Sequence, residues 1–130
     1  MIRIVRLGAR RAPDEGLRIG TVRRPPRGVP KAEFASRDFY DVWLPLLAPS
    51  DALVKQALGV AADDVRGWKT FERRYRAEMK ESDVGRVLDT LAALSKQTNF
   101  SVGCYCENEA RCHRSILRVL LSEHGADVQA

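Results

Sequence analysis

The sequence predicts an α/β domain with a small mixed or parallel sheet flanked by helices, spanning residues 1–130 as a single unit. Three observations predict it. Apolar residues alternate with polar ones in two short N-terminal stretches, the period of half-buried strands. Aromatic and apolar residues recur at helical spacing through the middle of the chain. A short apolar run of strand length, residues 99–105, then stands between two helical patterns.

Residues 2–7, IRIVRL, alternate apolar and basic side chains and read as the first strand. GARRAPDEG, 8–16, is a turn-rich connection. LRIGTVRR, 17–24, alternates again and is expected as a strand over 17–23. PPRGVP, 25–30, stops any regular element, because proline lacks the backbone donor and locks φ. The apolar run FYDVWLPLLAP is broken by Pro45 and Pro49, so residues 31–49 read as a short helical turn and an extended segment. Ser50 and Asp51 form an N-cap start, and Leu53, Ala57 and Leu58 share a face up to a stop at Gly59. Trp68, Phe71, Tyr75 and Met79 form one stripe of an amphipathic helix over 63–80, expected to be core rather than a binding platform. Ser82 or Asp83 caps the next helix, with Val84, Val87, Leu88 and Leu91 inward. NFSVGCY supplies a buried strand at 99–104. The last helix is expected over 110–123, with Ile116, Leu117, Leu120 and Leu121 inward.

Composition narrows the function classes. Apolar residues make up 45% and charged residues 30%, as expected of a soluble globular protein. No stretch approaches the roughly 18 apolar residues of a membrane helix. The N-terminus lacks the apolar core of a secretory signal, so the expected compartment is the cytoplasm, where thiols stay reduced. Charge is uneven. Residues 1–31 hold nine Arg or Lys against Asp14 and Glu15, a balance of +7 within a chain of net +5, so the remainder sums to −2. Such a basic segment suits an anion: nucleic acid, a phosphorylated metabolite or an acidic partner. The plain alternative is an arginine-rich solvated surface.

All three cysteines and one of two histidines fall between positions 104 and 113, in GCYCENEARCHRS. Four readings stay open. Three Cys and a His are a zinc ligand set, but Cys112 and His113 are adjacent, with side chains diverging by about 100° on a helix, and no C-x2-C knuckle is present. No metal or cofactor is therefore assigned. A switchable disulfide across the loop ENEAR needs geometry that spacing does not provide. A nucleophile is favoured if Cys112 sits in the first turn of the last helix, beside Arg111, His113 and Arg114, while Glu107 and Glu109 oppose ionisation. The loop contains no glycine, which excludes a phosphatase-like or rhodanese-like anion cradle. The last reading is packing alone, with small buried thiols joining strand to helix.

The expected site follows from topology. Ligands bind at the carboxyl ends of parallel strands. Cys104 ends one strand, and Arg23 and Arg24 follow another. If the two strands run parallel, the arginines and the cysteines open onto one edge.

GCYCENEARCHRSILRVLL resembles the C-terminal signature of the YeaO-like family of bacterial domains of unknown function, specifically a branch containing a Cys-His-Arg triplet. Gly16-Leu17-Arg18 resembles the family's Gly-Tyr-Arg. VRRPPRGVPK, 22–31, is similar to its Val-Asp-Arg-Leu-Trp-Pro-Arg-Gly-Val-Ser-Lys, one residue shorter and without the tryptophan and aspartate. VWLPLLAPS, 42–50, and WKTFERRYRAEM, 68–79, resemble two further motifs. The resemblance implies a compact α/β domain with no settled activity, in which Arg18, Arg24, Arg27, Cys112, His113 and Arg114 act together. The resulting expectation is a cleft binding a phosphate- or carboxylate-bearing ligand. Arg18, Arg24, Arg27, Arg114 and Cys104 contact the ligand, with Cys112 as nucleophile and His113 as its acid–base partner if the site is catalytic. The alternative is a nucleic-acid-binding or regulatory module using the basic first 31 residues, although no helix-turn-helix or RNA-binding motif is present.

Overall fold

The computed structural model describes residues 1–130. Four strands, β1 (Ile2–Arg6), β2 (Leu17–Gly20), β3 (Val42–Trp43) and β4 (Phe100–Cys104), form one sheet in the order β1-β4-β2-β3. Every pairing is parallel. The last strand in sequence is therefore central, hydrogen-bonded on both sides and buried along its whole length. That is why FSVGC is continuously apolar or small: a strand covered on both faces has no solvent side.

Four helices follow: α1 (Asp51–Leu58), α2 (Val65–Glu78), α3 (Ser82–Ser95) and α4 (His113–Glu123). Ser50 caps α1 by accepting from the Leu53 N–H, as its position predicts. Asp64 caps α2 in the same way through the Gly67 N–H. The aromatic stripe of α2 is core: Phe71, Tyr75 and Met79 are buried and Trp68 packs partly buried beside them. The Tyr75 hydroxyl donates to the Leu47 carbonyl at 2.7 Å, so its burial leaves no polar atom unpaired. Leu88 of α3 and Leu117 and Leu121 of α4 join Ile2, Ile19, Phe100 and Val102 in the same core.

The opposite face of the sheet carries a different interior. Arg18 of β2 and Ser101 of β4 are register partners there, and both meet Glu15. Arg18 donates to both Glu15 oxygens, at 2.7 and 2.9 Å, and to the Ala9 and Asp38 carbonyls at 2.8 and 2.6 Å. Segments 8–15 and 34–41 thus cover this face by binding one buried guanidinium.

Four expectations are corrected in detail. Neither Ser82 nor Asp83 caps α3: both lie in its first turn, and the N-cap residue Glu81 makes no side-chain capping bond. The second strand ends at Gly20 rather than residue 23, where the chain turns toward Pro25. The extended segment within 31–49 contains a third strand, β3, paired with β2. The last helix begins at His113, not near Ala110. Asn108 caps a separate 3-10 turn, Glu109–Arg111, by accepting from the Ala110 N–H, and that turn ends at Cys112. Cys112 is therefore the extended N-cap residue of α4 (φ −126°, ψ 150°) and not part of its first turn. No helix is long and apolar enough to cross a membrane.

Candidate functional site

β2 and β4 are adjacent and parallel, so their carboxyl ends open onto one edge, as the topology argument expects. A cavity of about 270 Å³ lies there. Arg23, Arg24 and Arg111 stand around it, Cys104, Cys106, Cys112 and His113 form one wall, and Phe71, Val54 and Leu58 supply apolar lining.

Each wall residue has an identifiable support. Gly103 places Cys104 by letting β1 approach: a Cβ there would meet the Val5 carbonyl oxygen and the Leu7 side chain, each at 2.7 Å. Cys104 donates its S–H to the Cys106 sulfur at 3.8 Å. The three cysteine sulfurs all lie within 4.8 Å of one another. The three sulfurs converge without a C-x2-C knuckle, and His113 is not a member of the group. The chain bends at Tyr105, just past the end of β4, with the Cys106 sulfur beside that of Cys104, and the 3-10 turn Glu109–Arg111 leads into Cys112 beside both. All three are free thiols; Cys104 and Cys112 are buried and Cys106 is exposed.

His113 is buried, with its Nε2 2.7 Å from the Thr21 carbonyl oxygen. A carbonyl only accepts, so Nε2 carries the proton and donates it. With Nε2 donating to Thr21, Nδ1 faces the Cys112 sulfur at 3.8 Å. Tyr75 meets the ring edge-on at 5.5 Å and fixes its plane.

Arg114 is 3% exposed and forms no ion pair with any carboxylate. Its Nη2 donates to the Cys106 carbonyl at 2.6 Å, and its Nε has no partner. A buried guanidinium without a counter-anion is unfavourable by several kcal/mol; the group beside it that can ionise is the thiol cluster. Hydrogen bonds from Cys104 and then Cys112 hold the Cys106 thiol down to about 3, with help from the Arg114 charge and against burial. Cys104 is pushed up in turn, because its proton serves Cys106 and Cys112 and its sulfur is buried. Cys112 is lowered, first by the hydrogen bond from Cys104 and further by His113.

The residues singled out in sequence thus separate. Cys104, Cys112, His113 and Arg24 line the cavity. Arg114 lies behind the wall, under the Cys106 carbonyl. Arg27 borders a separate shallow hollow with Pro25, Pro26, Phe39 and Tyr105. Arg18 is on the other face of the sheet, 1% exposed and saturated by Glu15 and two carbonyls, so it does not reach the cavity. A larger hollow of about 520 Å³ between Pro25 and Trp43 contains none of the cysteines. The sequence places Arg23 at this edge and Arg111 and Cys106 beside Cys112, but the expected ligand-contacting set contains none of the three. Arg23 is signalled by its position after β2, and its Nε donates to the Pro49 carbonyl. Arg111 stands over the Trp68 ring, 5.6 Å from its centre.

Fold and site together define a parallel α/β domain with a thiol-walled, arginine-rimmed cavity at the carboxyl ends of its strands. The family model DUF488-N3a, described as the active DUF488-N3 subclade, matches residues 2–125, and the chain belongs to that family. No curated protein and no solved structure matches the chain at a significant level.

Proposed function

We propose that this protein is a thiol-dependent enzyme acting on a small substrate that carries a phosphate or carboxylate group. We place it in the YeaO-like, Cys-His-Arg-containing branch of its family and in the cytoplasm, where its thiols stay reduced. The observation that carries the reading is the meeting of three free thiols and an oriented imidazole on one wall of a cavity rimmed by Arg23, Arg24 and Arg111.

The roles follow from access. Cys106 is the exposed thiol and the attacking thiolate, with Arg114 as its counter-charge. Cys112, expected from sequence as the nucleophile, is 2% exposed and acts behind it with His113. The Cys106 sulfur bonds to the substrate as the bond to the leaving group breaks; the leaving group takes the bonding pair and the proton that Nδ1 of His113 has received from Cys112. The planar guanidinium forks at the rim bind the anionic group. The name of the matching subclade, active, agrees with catalysis.

The nucleic-acid reading loses support from the fate of the N-terminal arginines. Arg3, Arg6, Arg11 and Arg18 are paired with Asp14, Glu107, Asp41 and Glu15. These charges are distributed among internal partners rather than forming one free phosphate-binding face.

A thermal-shift panel of small phosphates, sulfates and carboxylates tests the proposal, because a ligand bound only by the folded state raises its midpoint. At least one anion class is expected to stabilise the wild type and to lose its effect in Arg23→Ala/Arg111→Ala. Absence of any shift across the panel, or equal shifts in the variant, overturns it.

A further inference from the structure

We infer that Cys104, Cys106 and Cys112 form a three-sulfur site for a borderline or soft metal ion such as Zn²⁺ or Cd²⁺, with its fourth coordination position open to the arginine-rimmed cavity. The inference rests on sulfur geometry and not on the catalytic reading. An ion held by all three sulfurs withdraws them from nucleophilic attack, so the two roles give opposite results in one assay.

Distance is the first ground. Zinc–sulfur bonds of about 2.3 Å in a tetrahedral centre separate neighbouring sulfurs by about 3.8 Å. Cys104 and Cys106 are already 3.8 Å apart, and no sulfur in the trio is more than 4.8 Å from another. Only small side-chain rotations are needed to close the trio on an ion.

Charge is the second. A divalent ion with three thiolates carries a net −1. Arg114 is buried beside the Cys106 carbonyl without a carboxylate partner and supplies the matching +1. Ligand type is the third. The acidic residues of the loop are turned to other partners, Glu107 to Arg6 and Glu109 to Arg118. The set is therefore all sulfur, which selects thiophilic ions over Mg²⁺ or Ca²⁺. Three protein ligands with an open position toward a cavity is the arrangement of a reactive site rather than a closed structural one.

The test is a titration of the reduced, metal-free full chain with Cd²⁺, read by thiolate-to-cadmium charge-transfer absorption, followed by alkylation of the loaded protein. A single equivalent is expected to saturate the band and to protect all three cysteines. Cys106→Ser changes an exposed position, so its fold survives by circular dichroism. It is expected to weaken cadmium binding at least as much as loss of an outer-shell partner, about 10–100-fold. No saturable band, an unchanged affinity in Cys106→Ser, or protection of only two cysteines overturns the inference. None of these outcomes bears on anion binding to the metal-free protein, which tests the catalytic reading separately.

Discussion

The Cys104 and Cys106 sulfurs lie 3.8 Å apart with only Tyr105 between them in the chain. The contact forms where β4 ends at Cys104 and the chain bends at Tyr105. It makes one buried thiol the proton donor of one exposed thiol.

The first prediction concerns that pair in the metal-free protein. Cys106, lowered to about 3, is ionised throughout the neutral range. Its alkylation rate is expected to stay flat between about pH 8 and pH 5, where an ordinary thiol with a pKa near 8.5 slows about tenfold per unit. Cys104, buried and raised, is expected to react last. Mass spectrometry of each cysteine against pH checks both; a Cys106 profile that follows a free thiol contradicts the account.

The second concerns His113. Its Nε2–H donates to Thr21, leaving Nδ1 to take the Cys112 proton. His113→Gln removes that acceptor and is expected to slow Cys112 alkylation by about tenfold while leaving Cys106 largely unaffected. Equal slowing of both cysteines in a protein of unchanged circular dichroism would indicate a general structural role instead.

The third concerns stability. Burial pushes the Glu15 carboxyl up, but hydrogen bonds from Arg18 and Ser101, the Arg18 charge and the Ala12 N–H together outweigh it and hold the carboxyl below its usual range. A carboxylate depressed in the folded state contributes stability above its unfolded pKa, about 4.3, and that contribution is lost as pH falls through the lower folded value. Urea midpoints are expected to be level near neutrality and to fall in acid. Glu15→Gln leaves Arg18 buried without a counter-charge and should cost about 3–5 kcal/mol near neutral pH. An effect below about 1 kcal/mol would mean that the pair is not buried in solution.

The fourth concerns Gly103. Alanine there places a methyl group 2.7 Å from the Val5 backbone oxygen, which cannot rotate away. Gly103→Ala is expected to cost about 1–3 kcal/mol in urea unfolding. By moving β4 off β1, it should also displace Cys104 and relax the pH profile of Cys106 toward that of a free thiol. A stable variant with an unchanged profile contradicts the role given to this glycine.

Much of the fold is legible in sequence because local periods coincide with tertiary burial. The 2–7 alternation, the Trp68-Phe71-Tyr75-Met79 stripe and the apolar 99–104 run each correspond to an element and to its buried face. β3 is not legible: two residues, both exposed, carry no period, and their pairing with β2 is long-range. The site is legible at the level of its edge, because parallel strands place Arg23, Arg24 and Cys104 together. The role of Arg18 is not, since nothing in GLRIG distinguishes a ligand-facing arginine from one closed onto Glu15 three residues away. Convergence of the thiols is hidden for a similar reason. It depends on the Asn108-capped 3-10 turn, which delays α4 and leads into Cys112 beside the other two.

The central claim, an anion-attracting cavity with a reactive thiol wall, is tested most directly by one pair of reagents. Iodoacetate and iodoacetamide deliver the same alkyl transfer, but only the first is an anion. The account predicts that the rate ratio of iodoacetate to iodoacetamide at Cys106 of the reduced, metal-free protein exceeds the ratio for glutathione by about tenfold at low salt. It further predicts that Arg23→Ala/Arg111→Ala or high salt abolishes the excess. A ratio at or below that of glutathione in the wild type would contradict it.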